Sequence, residues 1–186
     1  MDPIDFTLWV FELCGITDVK RLEIANTLNV HFLTPLVGGR IRRASASVVA
    51  GDATIRPNRF DAVVFLTNIG FQGAGSIMKR TGERPEEAIG NENVKGLTLA
   101  QSGATAGVAE VYWNRCELLT HVCGAIFHEA GHLKFKGPGS MHDQPGVYVL
   151  ASHGRNVTTP NDSDFKVFRN AIPNVVALRT RVPPPA

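Results

Sequence analysis

The strongest constraint on how this chain folds lies between residues 115 and 139, where a long, mainly apolar segment ends at Gly137-Pro138-Gly139. Asn114, followed three residues later by Glu117, resembles a capping box, and the Gly-Pro-Gly run does not continue a helix. The segment therefore predicts one helix from about Arg115 to Phe135. Its apolar character predicts that this helix is buried, with its polar residues facing one cleft.

The predicted helix carries the sequence His128-Glu129-Ala130-Gly131-His132. Residues four positions apart lie on one helical face, so His128 and His132 can direct two imidazole nitrogens to one metal ion. Glu129 lies about 100° around the helix from His128, where it can take a proton from a water molecule beside the ion. Zinc lowers the pKa of such a water and polarises a carbonyl group. The pattern therefore predicts a Zn²⁺ site for amide hydrolysis, with Glu129 as general base.

The same residues are compatible with two alternatives that involve no catalysis. An amphipathic helix can bury two hydrogen-bonded histidines without any metal. A non-catalytic metal-binding module is the other alternative, although a purely structural site closes its fourth coordination position and has no use for Glu129. His121, two turns before His128, is about 10 Å away along the helix and is expected to be buried or to support a ligand residue rather than to bind the ion itself.

The motif resembles the HExxH signature of the zincin metallopeptidases, matched here by His128-Glu129-Ala130-Gly131-His132. This resemblance implies a zincin-like fold, a zinc-dependent endopeptidase activity and a protein or peptide substrate. A deformylase-like metallo-amidase is an alternative, because peptide deformylase binds its metal through one cysteine and an HExDH helix. Here Cys123 is expected on another face of the helix, and Gly131 replaces the aspartate of that motif.

A catalytic zinc site requires a third protein ligand, and no glutamate follows Glu129 in the chain. The glycines of Gly137-Pro138-Gly139 allow the chain to reverse just beyond the helix and to bring Ser140–Asp143 back to the metal. His142 is therefore predicted as the third ligand, with Asp143 as the alternative. The more distant candidates are His153, Asp162 and Asp164.

Two zincin clans resemble the chain in part. The order of elements is similar to that of the metzincins, whose signature HExxHxxGxxH has glycine where this chain has Phe135 and histidine where it has Pro138. A metzincin-like chain would have a longer loop and use His142. The stretch 138–143 also resembles the aspzincins, such as deuterolysin, which implies Asp143 as ligand. Under that resemblance Tyr148 assists catalysis by stabilising an oxyanion; a half-buried strand position is the alternative for this tyrosine.

Beyond the motif helix, the sequence predicts an α+β fold with a mixed sheet in one domain, 1–186. A zincin-like division places the sheet and the active-site helix in an N-terminal lobe of about 1–135. A short, loop-rich C-terminal lobe of about 136–181 holds one helix, and the tail 182–186 is extended. Residues 70–96 are predicted as a long surface excursion.

Hydrophobic periodicity and capping residues locate the other elements. One helix is predicted from Thr17 or Asp18 to about Asn29, and another from Asp164 to about Ala171, capped by Asn161 or Ser163. Residues 103–110 could form an edge strand that pairs with an extended substrate, and a plain hairpin explains the glycines of this stretch equally well. The predicted strands are Phe6–Leu13, Ile41–Val49, Asp61–Thr67, Leu97–Gln101 and Val108–Trp113.

Composition limits the possible partners. The chain has a formal charge of +2 and 19% charged residues, which is too little positive charge for a nucleic-acid surface. No apolar run is long enough to cross a bilayer, and no secretory signal is seen, so we expect a soluble protein that binds neither nucleic acid nor membrane. So small a catalytic unit is compatible with a secreted toxin or a delivered effector domain. The compartment and the oligomeric state stay open. The three cysteines are expected to be buried thiols.

Overall fold

The computed structural model describes residues 2–68, 77, 93–99, 106–152 and 159–182. Most of the predicted surface excursion, the end of the tail and the candidate ligand His153 lie outside these residues. The described strands and α-helices are β1 (Ile4–Glu12), α1 (Asp18–Thr27), β2 (Ile41–Ala50), β3 (Ala62–Thr67), β4 (Gly96–Leu99), β5 (Val108–Tyr112), α2 (Leu119–Lys134) and α3 (Asp162–Ala171).

The five strands form one mixed sheet in the order β2-β1-β3-β5-β4. The first four of these strands are parallel, and β4 runs antiparallel to β5, with Leu97 opposite Glu110. β3 is buried along its whole length, as its continuous apolar sequence predicts for a central parallel strand. The predicted mixed sheet combined with helices is confirmed. The edge strand predicted within 103–110 is corrected as far as the structure describes it: β5 lies between β3 and β4, and β4 is the outermost described strand on that side.

Helix α2 packs across β3, β4 and β5 and supplies the centre of the larger hydrophobic core. Phe127 makes an edge-to-face contact with Phe168 of α3, with ring centroids 4.6 Å apart, and a tilted contact with Phe32 at 5.6 Å. Full burial of each such ring contributes roughly 1.5–3 kcal/mol. Because Phe127 directly precedes His128, this packing fixes the rotation of the motif helix.

The predicted start of the motif helix is wrong. The helix begins at Leu119 rather than near Arg115, and its N-cap residue, Leu118, makes no side-chain capping bond. Residues 113–115 instead form a short 3₁₀ turn directly after β5. This turn connects β5 to the segment that leads into α2, and the guanidinium of Arg115 donates a hydrogen bond of 3.2 Å to the carbonyl of Val94.

The other two helices lie close to the predicted positions. Thr17 caps α1 by accepting from the amide of Lys20, and Asn161 caps α3 through a full capping box with Asp164. The apolar residues of α1 are only partly buried. Ile24 is buried, whereas Leu22 is 61% exposed, because the helix turns a narrower face to the sheet than its sequence implies.

Two expectations drawn from composition bear on the described residues. None of the described helices is both long enough and apolar enough to pass through a membrane. All three cysteines are free thiols, but only Cys123 is fully buried, while Cys14 and Cys116 are half-buried. The expectation of three buried thiols therefore holds in full for one of them.

Candidate metal centre

The two motif histidines lie together on one face of α2, as their spacing of four requires. The Nε2 atoms of His128 and His132 are 3.0 Å apart, and the ring centroids are separated by 4.6 Å. His128 is buried and His132 half-buried. One side of the pair therefore faces the core and the other opens to solvent.

His142 reaches this pair by the chain reversal that the glycines predict. Gly139 has a φ of +74°, and Ser140 then caps a short 3₁₀ turn over Met141–Asp143 by accepting from the amide of His142. The Nε2 atom of His142 lies 2.8 Å from that of His132. The structure thus brings together the three histidines predicted as metal ligands.

The close return of this segment depends on the small residue between the two motif histidines. A Cβ atom on Gly131 would lie 2.9 Å from Sδ of Met141 and 3.0 Å from Cδ2 of Leu150. Both distances are well inside ordinary contact. The absence of a side chain at this position lets the C-terminal segment lie directly on the motif helix.

The three histidines fit a metal ion by their donor chemistry. Each offers a ligand atom, and all three atoms lie within 4.8 Å of one another. An imidazole nitrogen carries either one hydrogen or one lone pair, so His132 Nε2 cannot form a good hydrogen bond to both neighbours at once. A tetrahedral zinc site spaces its nitrogens by about 3.3 Å, which is a few tenths of an ångström from the observed separations. The three side chains are close enough to bind one metal ion.

The tautomer of His128 follows from its second nitrogen. Nδ1 lies 2.9 Å from the carbonyl oxygen of Val149. A carbonyl oxygen only accepts, so Nδ1 carries the hydrogen and the lone pair of the neutral ring is on Nε2, which faces the other two histidines. This is the arrangement that metal-binding histidines usually have.

Glu129 is buried beside β4. Its Oε2 atom accepts a hydrogen bond of 2.6 Å from the hydroxyl of Thr98, which also lies 3.2 Å from the Glu129 carbonyl oxygen. Burial raises the pKa of Glu129 to about 8, and the bond from Thr98 acts in the opposite direction. A nearby dication would favour the ionised form. The site therefore holds a carboxylate that can gain and lose a proton near neutral pH.

Gly96 of β4 provides the space in which the Glu129 side chain lies. A Cβ atom at Gly96 would be 2.7 Å from three atoms: Cγ and Oε1 of Glu129 and the carbonyl oxygen of Glu110. These distances are about 1 Å shorter than ordinary contacts. Strand β4 thus positions Glu129 by the hydrogen bond from Thr98 and by the space left at Gly96.

The remaining predicted residues do not join the three histidines. Asp143 is exposed, and Tyr148 is 58% exposed, one residue before the carbonyl that orients His128. His121 is buried as expected, and its Nδ1 atom has no hydrogen-bond partner among the described residues. Cys123 lies against α1, with its thiol 3.9 Å from the carbonyl of Ile24, and does not offer the cysteine ligand of a deformylase-like site.

Sequence reasoning missed two residues at this site, Gly96 and Thr98. They lie some thirty residues before Glu129, in a strand of four residues. Their role depends on the strand register, in which Gly96 is opposite Val111 and Thr98 opposite Ala109. The alternation of the strand shows that the two share a face, but no sequence signal identifies that face as the one under α2.

Comparison with known proteins does not add to this description. No protein-family model matches the chain, and no curated protein or solved structure shows significant similarity to it.

Proposed function

We propose that this protein is a zinc-dependent endopeptidase that hydrolyses peptide bonds. One observation carries the proposal: three imidazole nitrogens, one from each histidine, converge within 4.8 Å of one another, and the buried carboxylate of Glu129 follows the first histidine in the same helical turn. His128, His132 and His142 supply the nitrogen ligands that zinc prefers. Two half-buried ligands leave a side of the site open for substrate.

The proposed chemistry divides between the metal and the chain. His128, His132 and His142 would hold the zinc, which when bound would supply an activated water and polarise the scissile carbonyl. Glu129 takes the proton of the attacking water onto its carboxylate and delivers it to the leaving nitrogen. Thr98 uses one of the four lone-pair sites of that carboxylate and leaves the others for this transfer. Tyr148 is proposed to approach the oxyanion from the exposed side.

A polypeptide substrate is favoured by the edge strand. β4 is bonded to β5 on one side, no other described strand pairs with its opposite side, and it carries Thr98, which touches Glu129. An extended peptide that pairs with the free edge of a strand gains main-chain hydrogen bonds. A substrate bound along β4 would pass next to the proposed general base. This geometry supports cleavage within a chain.

The proposal is tested by metal analysis and peptide cleavage on four proteins: wild type, His128→Ala, Glu129→Gln and His31→Ala. We expect about one zinc per chain in the wild type and its loss in His128→Ala. Glu129→Gln should keep zinc and lose about 10²–10⁴-fold in turnover of a fluorogenic peptide library. His31 is an exposed histidine away from the group, so its replacement is the matched control and should change neither quantity.

The outcomes separate the proposal from its alternatives. Zinc binding without any cleavage would favour a non-catalytic metal-binding module. A wild-type protein that binds no zinc, or a Glu129→Gln variant as active as wild type, would refute the proposed function.

A further inference from the structure

The carboxylate of Asp164, at the start of α3, accepts four backbone hydrogen bonds. Its Oδ1 atom accepts from the amides of Tyr148 and Leu150 at 3.0 and 2.8 Å, and its Oδ2 atom from those of Val149 and Asn161 at 3.1 and 2.9 Å. The residue itself is fully buried. The bond to Asn161 belongs to the capping box of α3, whereas the other three hold a separate segment of the chain.

That separate segment, residues 148–150, touches the motif helix at two points. The carbonyl of Val149 accepts the Nδ1 hydrogen of His128 at 2.9 Å. The side chain of Leu150 lies over Gly131, between the two motif histidines. A short path of contacts thus leads from Asp164, through the backbone it holds, to the imidazole of His128.

We propose that Asp164 is a positioning residue for the metal centre. It holds residues 148–150 in the one conformation that presents the carbonyl of Val149 to His128, and so keeps that ring turned with the Nε2 lone pair toward the site. The inference rests on the proposed function in that the site takes zinc. Partners that orient a ligand histidine typically contribute about 10–100-fold to metal affinity.

Replacement of Asp164 by glutamate separates this role from helix capping. Glutamate at the third position of a helix preserves a capping box with Asn161. One additional methylene group moves the carboxylate, so that it cannot keep all three bonds to residues 148–150. Asp164→Asn is the second variant, since its amide nitrogen donates where the native oxygen accepts.

Two measurements on the full chain test the proposal. The first is the dissociation constant for Zn²⁺ by chelator competition, which should rise about 10–100-fold in Asp164→Glu. The second is the tautomer of His128 in the metal-free protein at pH 8, followed by ¹⁵N NMR. The wild type should show the form protonated on Nδ1, and the variant a mixture of both forms.

Two variants in the same helix serve as matched controls. Asp162→Glu makes the same change at an exposed position two residues away, and Ala171→Gly weakens the far end of α3. Both should leave the zinc affinity and the tautomer as in the wild type, even where the unfolding free energy falls.

Unchanged zinc affinity and tautomer in folded Asp164→Glu and Asp164→Asn would overturn the inference. So would a wild-type His128 protonated on Nε2, a result that needs no variant. A wild-type protein that binds no zinc refutes the proposed function instead, and the tautomer comparison still decides whether Asp164 positions His128.

Discussion

Replacement of Gly96 by alanine tests whether the edge strand positions Glu129. The added methyl carbon would lie 2.7 Å from a backbone oxygen, that of Glu110, and equally close to Cγ and Oε1 of Glu129. The Glu110 carbonyl is fixed in the sheet between β3 and β4. The side chain of Glu129 is the more mobile partner, so it has to yield by about 1 Å to reach ordinary contact distance.

The expected effects on stability and turnover differ in size. Overpacking costs about 1–3 kcal/mol, and the lower chain entropy of alanine relative to glycine offsets about 0.5–1 kcal/mol of that. The unfolding free energy should therefore fall by up to about 2.5 kcal/mol. A displacement of about 1 Å at a catalytic group costs about 10²-fold in rate. Zinc affinity should not change, because no histidine of the site lies in the path of the methyl group.

Peptide turnover, urea unfolding and chelator competition measure the three quantities. Gly51→Ala is the matched control, because its methyl group would also be crowded, 2.5 Å from Cδ2 of Leu13, at a position remote from the histidines. It should lose stability and keep its turnover number. Turnover of Gly96→Ala within about threefold of wild type, in a folded protein that holds zinc, would refute the argument that the edge strand positions Glu129.

The further predictions concern Thr98, Gly131 and the three cysteines. Thr98→Val removes the hydroxyl that donates to Glu129 and should lower turnover about tenfold with zinc retained, whereas Thr98→Ser keeps the hydroxyl and should keep the turnover. Equal turnover of the wild type and both variants would contradict a role for this hydrogen bond. In Gly131→Ala the added methyl group contacts Met141 and should weaken zinc binding about tenfold, while the better helix propensity of alanine, worth up to about 1 kcal/mol, keeps the unfolding free energy nearly constant. Unchanged zinc affinity, measured by chelator competition, would contradict the close packing of Met141 on Gly131. Burial raises the pKa of the Cys14 and Cys123 thiols from 9 to about 12 and that of the Cys116 thiol to about 11. The three thiols should therefore react slowly with a disulfide reagent at pH 8 until urea is added. The thiols of the unfolded chain ionise at lower pH than those of the folded chain, so the unfolding free energy should fall as pH rises from 9 towards 11. A rise over that range would contradict the raised pKa values of the folded thiols.

The candidate site could be predicted from sequence where its geometry is local. The spacing of His128 and His132 places both imidazoles on one face in any α-helix. Their closeness to His142 was predictable because His142 is only ten positions after His132, and Gly139 supplies the left-handed turn that the reversal requires. The choice between His142 and Asp143 was not local. It depends on how Met141 packs against Gly131, which turns His142 toward the other two histidines and leaves Asp143 exposed.

The start of α2 shows the opposite case. Asn114 and Glu117 have the spacing of a capping box, yet the helix starts at Leu119, because the exit from β5 takes up residues 113–115 in a turn of its own. Local propensity is worth about 1 kcal/mol at such a position. The packing of a whole helix against a sheet outweighs it.

By itself, the sequence determined that one buried helix would carry two imidazoles and a carboxylate on neighbouring faces, and that the chain would turn back after it. Those features depend only on bond geometry and on residues within about fifteen positions of one another. Only the tertiary structure decided what surrounds them: Thr98 and Gly96 beside Glu129, and Asp164 behind the carbonyl that orients His128. These contacts join segments that come together only when the core forms. The free energy of burial depends on the apolar area removed from water, and it does not specify which polar residues become neighbours.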